Sequence, residues 1–265
     1  MKKIISLILV LVMVLTLTGC KSAEVKDLEA QIAELAGLSM ETLNDVDAAR
    51  ERIVAVRNAY NALSAKDQGK VENLADLEAA EKKVFEAEYD LLVSLMSFLN
   101  VNTDYVASGV ITVWDNVGAS KFWTYYNVIF FFDDENKTLD EYSAEYGQSL
   151  FASLWCAGSG LCPSKISGSK IKDEAGVIKI CATYNLAYDN VEQAVELIQE
   201  RVARLNSEHA DDYPTKMAAL YDWWMESYLY AQLAMNPEGS LASYTSSVKT
   251  YQNNIDRLSM NAEMQ

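Results

Sequence analysis

LADLEAAEKKVFEAEYDLLVSLMSFLNVNTDYVASGVITVWDNV, residues 74–117, decides the fold. Leu77, Val84, Leu91 and Phe98 recur at steps of seven, and Leu92, Leu99, Val106, Val110, Val113 and Val117 extend the apolar stripe. The stretch has no proline. A sustained helical period of this kind predicts an amphipathic α-helix, about 65 Å long at 1.5 Å per residue. The polar run Asn100 to Thr103 predicts a kink or break within it.

The neighbouring sequence repeats this pattern. Upstream, Val25, Leu28, Ile32 and Leu35 follow a 3-4-3 spacing, too short for a coiled coil on its own. Gly37 is placed to close that helix and Ser39 to cap the next, whose apolar face is Leu43, Val46, Ala49, Ile53, Val56, Tyr60 and Leu63. Ser64 to Asp67 fits a capping box, and Asn73 is a further cap. Downstream, Ser120 to Phe132 is an apolar run whose length suits either a buried helix or a buried strand. Its helical surroundings favour helix. Thr138 to Glu141 opens a helix ending near Trp155, and the Gly/Ser-rich stretch Ala157 to Lys170 reads as a loop. Ile171 to Leu186 is expected to be helical. Asp189 or Asn190 then caps a further helix carrying Val191, Val195, Ile198, Val202 and Leu205. Pro214 suits the start of a helix running to Met235. Gly239-Ser240 opens the last, with Leu241, Tyr244, Val248, Tyr251, Ile255 and Leu258 on one face.

Composition agrees with a helical globular protein. Half of the 265 residues are hydrophobic, and only three prolines and eleven glycines are present. The net charge of −16 repels nucleic acid and anionic headgroups, so no nucleic-acid partner is expected.

The N-terminus carries an address. Lys2 and Lys3 precede an apolar run, Ile4 to Leu17, followed by Leu17-Thr18-Gly19-Cys20. At about 15 residues the run is short of the ~20 needed to span a bilayer, and it reads as a processed signal. It resembles a bacterial lipoprotein signal peptide ending in a lipobox. The resemblance implies cleavage before Cys20, a diacylglycerol on its sulfur, and anchoring of the mature chain in the bilayer on the extracytoplasmic face of the cell membrane. A second resemblance lies in Ala55 to Ser64, followed by Val71 to Leu74 and Leu77 to Glu81. It resembles a short helical repeat of large Gram-positive surface proteins, occurs once, and implies no chemistry. Gly69 departs from the pattern.

Residues suited to catalysis are sparse. His209 is the lone histidine, in a polar stretch between helices. Ser167-Gly168-Ser169-Lys170 matches Ser-x-x-Lys, but the chain lacks the Ser-Asp-Asn and Lys-Thr-Gly elements that penicillin-binding enzymes pair with it. Asp133 to Asn136 is acidic but has Lys137 and Thr138 where an EF-hand loop needs an oxygen ligand and glycine. No metal site, cofactor or enzymatic activity is therefore expected. Cys156 and Cys162 are placed to form a small disulfide loop or to remain free thiols, and Cys181 is left over.

Aromatic side chains are the feature most suggestive of binding. Trp114, Phe122, Trp123, Tyr125 and Tyr126 form one concentration; Tyr221, Trp223, Trp224, Met225 and Tyr228 form another. Adjacent tryptophans lie about 100° apart on a helix, which predicts Trp224 as core and Trp223 as the more exposed ring on a binding face. The expectation is an all-α protein: signal peptide 1–19, lipidated tether and helical hairpin 20–86, and antiparallel helical bundle 87–265. Its expected role is a non-catalytic interaction or spacer protein with an unknown protein partner. The alternative is a small-ligand-binding lipoprotein with an aromatic pocket between helices, lined by Trp114, Trp123 or Trp224.

Overall fold

The computed structural model describes residues 21–117, 166–167, 170–171 and 174–264. Seven α-helices carry the described chain: α1 (Ala23–Glu34), α2 (Leu43–Ala62), α3 (Ala65–Gln68), α4 (Leu74–Val117), α5 (Glu174–His209), α6 (Pro214–Met235) and α7 (Leu241–Glu263). The described strands, β1 (Ile166–Ser167) and β2 (Lys170–Ile171), form one two-residue antiparallel pair. The protein is an all-α helical bundle. It divides into two compact units, Met1–Leu91 and Leu92–Gln265, with the boundary inside α4 a few residues beyond Glu86.

In the first unit three helices share one core. Leu28 and Ile32 of α1, with Leu35 of the 3-10 turn that follows, pack with Val46, Ala49, Ile53 and Val56 of α2 and Leu77, Ala80 and Val84 of α4. Tyr60, Leu63, Val71 and Leu74 close its edge. Ser22 caps α1, its Oγ accepting from Val25 N. The next cap is Thr42 rather than Ser39, with Asp45 completing a capping box. Ser64 caps α3. Asn73 precedes α4, but its side-chain amide donates to the Glu29 carbonyl at 2.9 Å instead of capping.

α4 continues through Asn100 to Thr103 without a break. Two of its polar side chains bond back into the helix: Asn102 Nδ2 donates to Phe98 O and Thr103 Oγ1 to Leu99 O, each at 2.9 Å. The seven-residue stripe does not persist. A straight helix drifts about 20° per heptad, so Leu77 and Val84 are buried whereas Phe98 is exposed, and Leu99 occupies the core in its place.

In the second unit α5, α6 and α7 follow one another through short turns, which makes neighbours antiparallel. Two expectations change here. Ile171 pairs with Ile166 in the strand pair, and the helix begins at Glu174. That helix then runs past Asp189 and Asn190 to His209, and Asn190 Nδ2 donates to Asn102 Oδ1 on α4 at 3.0 Å rather than capping. Val191, Ile198, Val202 and Leu205 are buried as their spacing predicts. Pro214 occupies the first turn of α6. Ser240 and Ser243 form a capping box opening α7, after Gly239 turns the chain at φ 87°, a conformation glycine adopts readily.

Candidate functional site

A cleft in the second unit is walled by α4, α6 and α7. Its volume is about 470 Å³, within the range of small-molecule sites. α4 contributes Ser97, Asn100, Val101 and Asp104; α6 contributes Trp223 and Tyr230; α7 contributes polar side chains from Gln252 to Glu263 around Ile255.

Asp104 organises this wall. Its Oδ1 accepts from Tyr230 Oη at 2.6 Å and from Gln252 Nε2 at 2.9 Å, so one carboxylate oxygen ties all three helices. Among the described residues, Oδ2 has no protein partner. Tyr230 is buried and stacked on Tyr251, with ring centroids 5.8 Å apart. Burial first, and then its bond to Asp104, pushes the phenol far above the usual tyrosine range. Tyr230 therefore stays a neutral donor across physiological pH.

Trp223 corrects an expectation. It is 1% exposed, less than Trp224 at 5%, so it is core and not the more exposed ring. The physical reason is that α6 is covered on two sides. Trp223 lies against residues of α4 and α7, while Trp224 lies toward Val202 and Ala203 of α5. Two indoles 100° apart can then both be buried. Among the described residues, the Trp223 Nε1 and the Asn100 Oδ1 are both buried without a hydrogen-bond partner. A smaller groove of about 280 Å³ lies between α5 and α6, where Trp224, Met225 and Tyr228 adjoin Tyr221, which is 46% exposed.

The other expected residues are dispersed. Trp114 is buried against Tyr244, with rings 5.7 Å apart, away from either opening. His209 ends α5, and Tyr213 N donates to its carbonyl. Ser167 and Lys170 are backbone partners in the strand pair. Cys20, Trp123, Cys156, Cys162 and the segments 120–132, 133–138 and 138–155 lie outside the described residues. Among the described residues, no group of His, Cys, Asp or Glu is placed to hold a metal, and no helix is long and apolar enough to cross a membrane.

Sequence reasoning missed Asn100, Asp104 and Gln252. The signal was partial: Asn100 opens the polar run expected to interrupt the helix, and Asp104 stands four residues on, just beyond that run. Comparison with protein-family models, curated proteins and solved structures finds no match to this chain.

Proposed function

We propose that this protein is a lipid-anchored, extracytoplasmic, non-catalytic lipoprotein whose first unit is a spacer and whose second unit binds a small ligand. The observation that carries the binding role is the α4–α6–α7 cleft, across which Asp104 joins Tyr230 and Gln252. A small ligand fits this reading better than a protein docked on Trp223, because that ring offers almost no exposed surface. The anchor rests on Leu17 to Cys20 behind the charged Lys2 and Lys3. The first described helix begins at Ala23, three positions after Cys20, so little flexible tether separates it from that cysteine.

Two experiments test the two parts. Metabolic labelling with a fatty acid should mark the wild type and not Cys20→Ala; equal labelling removes the anchor. A screen of small polar metabolites by melting temperature should give hits that vanish in Ser97→Trp, which fills the cleft. Hits indifferent to that substitution, or none, would remove the binding role. A second reading is a protein–protein contact through the α5–α6 groove, favoured by the exposed Tyr221 beside Trp224 and Tyr228.

A further inference from the structure

We infer that the first unit stands end-on upon the phospholipid bilayer: the turn Ser64 to Asn73, tied to the start of α1 through Lys21, rests on the headgroup layer. This rests on the lipid-anchor reading of Cys20 and extends it to the surface that meets the membrane.

Chain length sets the first constraint. A diacylglycerol on the Cys20 sulfur holds that residue at the level of the glycerol groups, beneath about 5–7 Å of headgroup. Ser22 follows two residues on, so the chain carries it at most about 7 Å from Cys20. Ser22 is already fixed to α1: its Oγ accepts from Val25 N at 3.3 Å and its carbonyl from Lys26 N at 3.2 Å. Lys21 is held as well. Its Nζ donates to Glu29 at 2.6 Å and pairs with Glu72 at 3.0 Å. Glu29 also accepts from the Glu72 backbone N–H at 2.8 Å, and the Asn73 amide donates to the Glu29 carbonyl at 2.9 Å. The residue next to the anchor is thus bound to the turn ahead of α4, so whatever holds Cys20 at the membrane holds that turn close to it.

Charge selects the same end. Ser64 to Asn73 carries Lys66 and Lys70 against Asp67 and Glu72, a neutral turn in a chain of net charge −16. The start of α1 adds Lys21 and Lys26 against Glu24. The opposite end, from Glu34 through the 3-10 turn to Asp45, carries Glu34, Glu41 and Asp45 and no basic residue. Arg52 of α2 offsets Glu34, which leaves Glu41 and Asp45. Anionic headgroups repel that end and not the one beside Cys20. The 12 residues of α1 separate the two ends by about 18 Å, more than the Debye length of about 8 Å at physiological salt. An upright unit therefore keeps its acidic end out of the headgroup field, and a unit lying flat does not.

The test is fluorescence of a bimane label on the acylated full chain, with Cys156→Ser, Cys162→Ser and Cys181→Ser, placed at Gly69→Cys or at Ser39→Cys. A Cβ at Gly69 meets only ordinary contacts, 3.8 and 3.9 Å from the Ala65 and Lys66 carbonyls, and Ser39 is exposed. The vesicles are equal parts phosphatidylglycerol and phosphatidylcholine, with a nitroxide quencher on some of the choline headgroups. The label at 69 should lose fluorescence and the label at 39 should not. Lys21→Met, which unties the turn from the anchor, should reduce the loss at 69 by about half, in keeping with partly exposed ion pairs. On the chain without label or substitution, vesicles should slow acetylation of the exposed Lys66 and leave that of Lys82, exposed on α4, unchanged. A chain that does not float with the vesicles would remove the anchor, and this inference with it. A chain that floats but shows equal loss at both positions, loss at neither, or unslowed acetylation of Lys66 would overturn the end-on contact and leave the anchor standing. A loss at 69 untouched by Lys21→Met would overturn the role of Lys21.

Discussion

In the first unit, charged side chains close on one another across helices. Arg57 of α2 grips both oxygens of Glu81 on α4, each at 2.6 Å. Arg50 of α2 pairs with Glu88, a carboxylate with no exposed surface. Lys21, ahead of α1, reaches Glu29 at 2.6 Å and Glu72 at 3.0 Å. In the second unit, Asp104 at the α4–α6–α7 cleft is held by the neutral donors Tyr230 and Gln252 instead, and among the described residues the buried Trp223 Nε1 has no partner. The contrast separates two uses of buried polarity. Matched charges fix which helix lies beside which; a carboxylate held by neutral donors keeps its charge, and the buried indole is held by packing.

The largest expected effect is at Trp223. Truncation to Ala removes a fully buried indole and should cost about 3–5 kcal/mol, whereas Trp223→Phe should cost clearly less, because the lost N–H has no partner among the described residues. Urea unfolding followed by circular dichroism measures both. A Phe variant as damaged as the Ala variant would show the N–H to be structural and break the contrast between the units.

Arg50→Met comes next. It leaves Glu88 buried without this counter-charge, and breaking such a pair should cost about 3 kcal/mol. Every tryptophan of the chain lies beyond Leu91, so tryptophan fluorescence reports the second unit alone, while circular dichroism reports both. The dichroism transition should move to lower urea more than the fluorescence transition. Coincident shifts would mean that the units unfold as one, and that Arg50 and Glu88 hold more than the first.

Much of this organisation was legible as spacing. Val25, Leu28, Ile32 and Leu35 are all buried, as their 3-4-3 rhythm demands, because a helix face depends only on local geometry. The helix limits at Leu74, Pro214, Met235 and Leu241 were legible from the apolar period, proline and serine. Two misread positions share one cause: a polar side chain was assigned a local job and has a distant one. Asn73 serves the carbonyl of Glu29 and Asn190 serves Asn102, and the overlooked Asp104 serves Tyr230 and Gln252. Local patterns cannot reveal such partners, since 44, 88, 126 and 148 residues separate them. Trp223 was misplaced for a related reason: whether a second helix face is covered depends on how many neighbours α6 has, which its own sequence does not encode.

The smallest effect concerns pH and sharpens the account of the first unit. Glu29 accepts from the Glu72 backbone N–H at 2.8 Å and from Lys21 Nζ at 2.6 Å. The Glu72 N–H first, then Lys21, holds its carboxyl below the usual 4.5. A lowered folded value means that Glu29 contributes stability above 4.5 and loses it as pH falls through the folded value. Lys21 is raised above its usual 10.5, chiefly by its bond to Glu29, so its contribution is full below 10.5 and fades as pH rises through the folded value. The pair should therefore give a plateau of stability between these limits. Glu29→Gln should lower that plateau slightly and flatten its acid edge, because the neutral amide still accepts from Glu72 but no longer titrates or pairs with Lys21. Asp67, lowered by Lys70 and Ser64, should keep part of the acid slope in the variant. Urea midpoints from pH 3 to 7 measure the difference. An acid edge of unchanged steepness in Glu29→Gln would show that the bonds ahead of α1 contribute nothing to holding the first unit together.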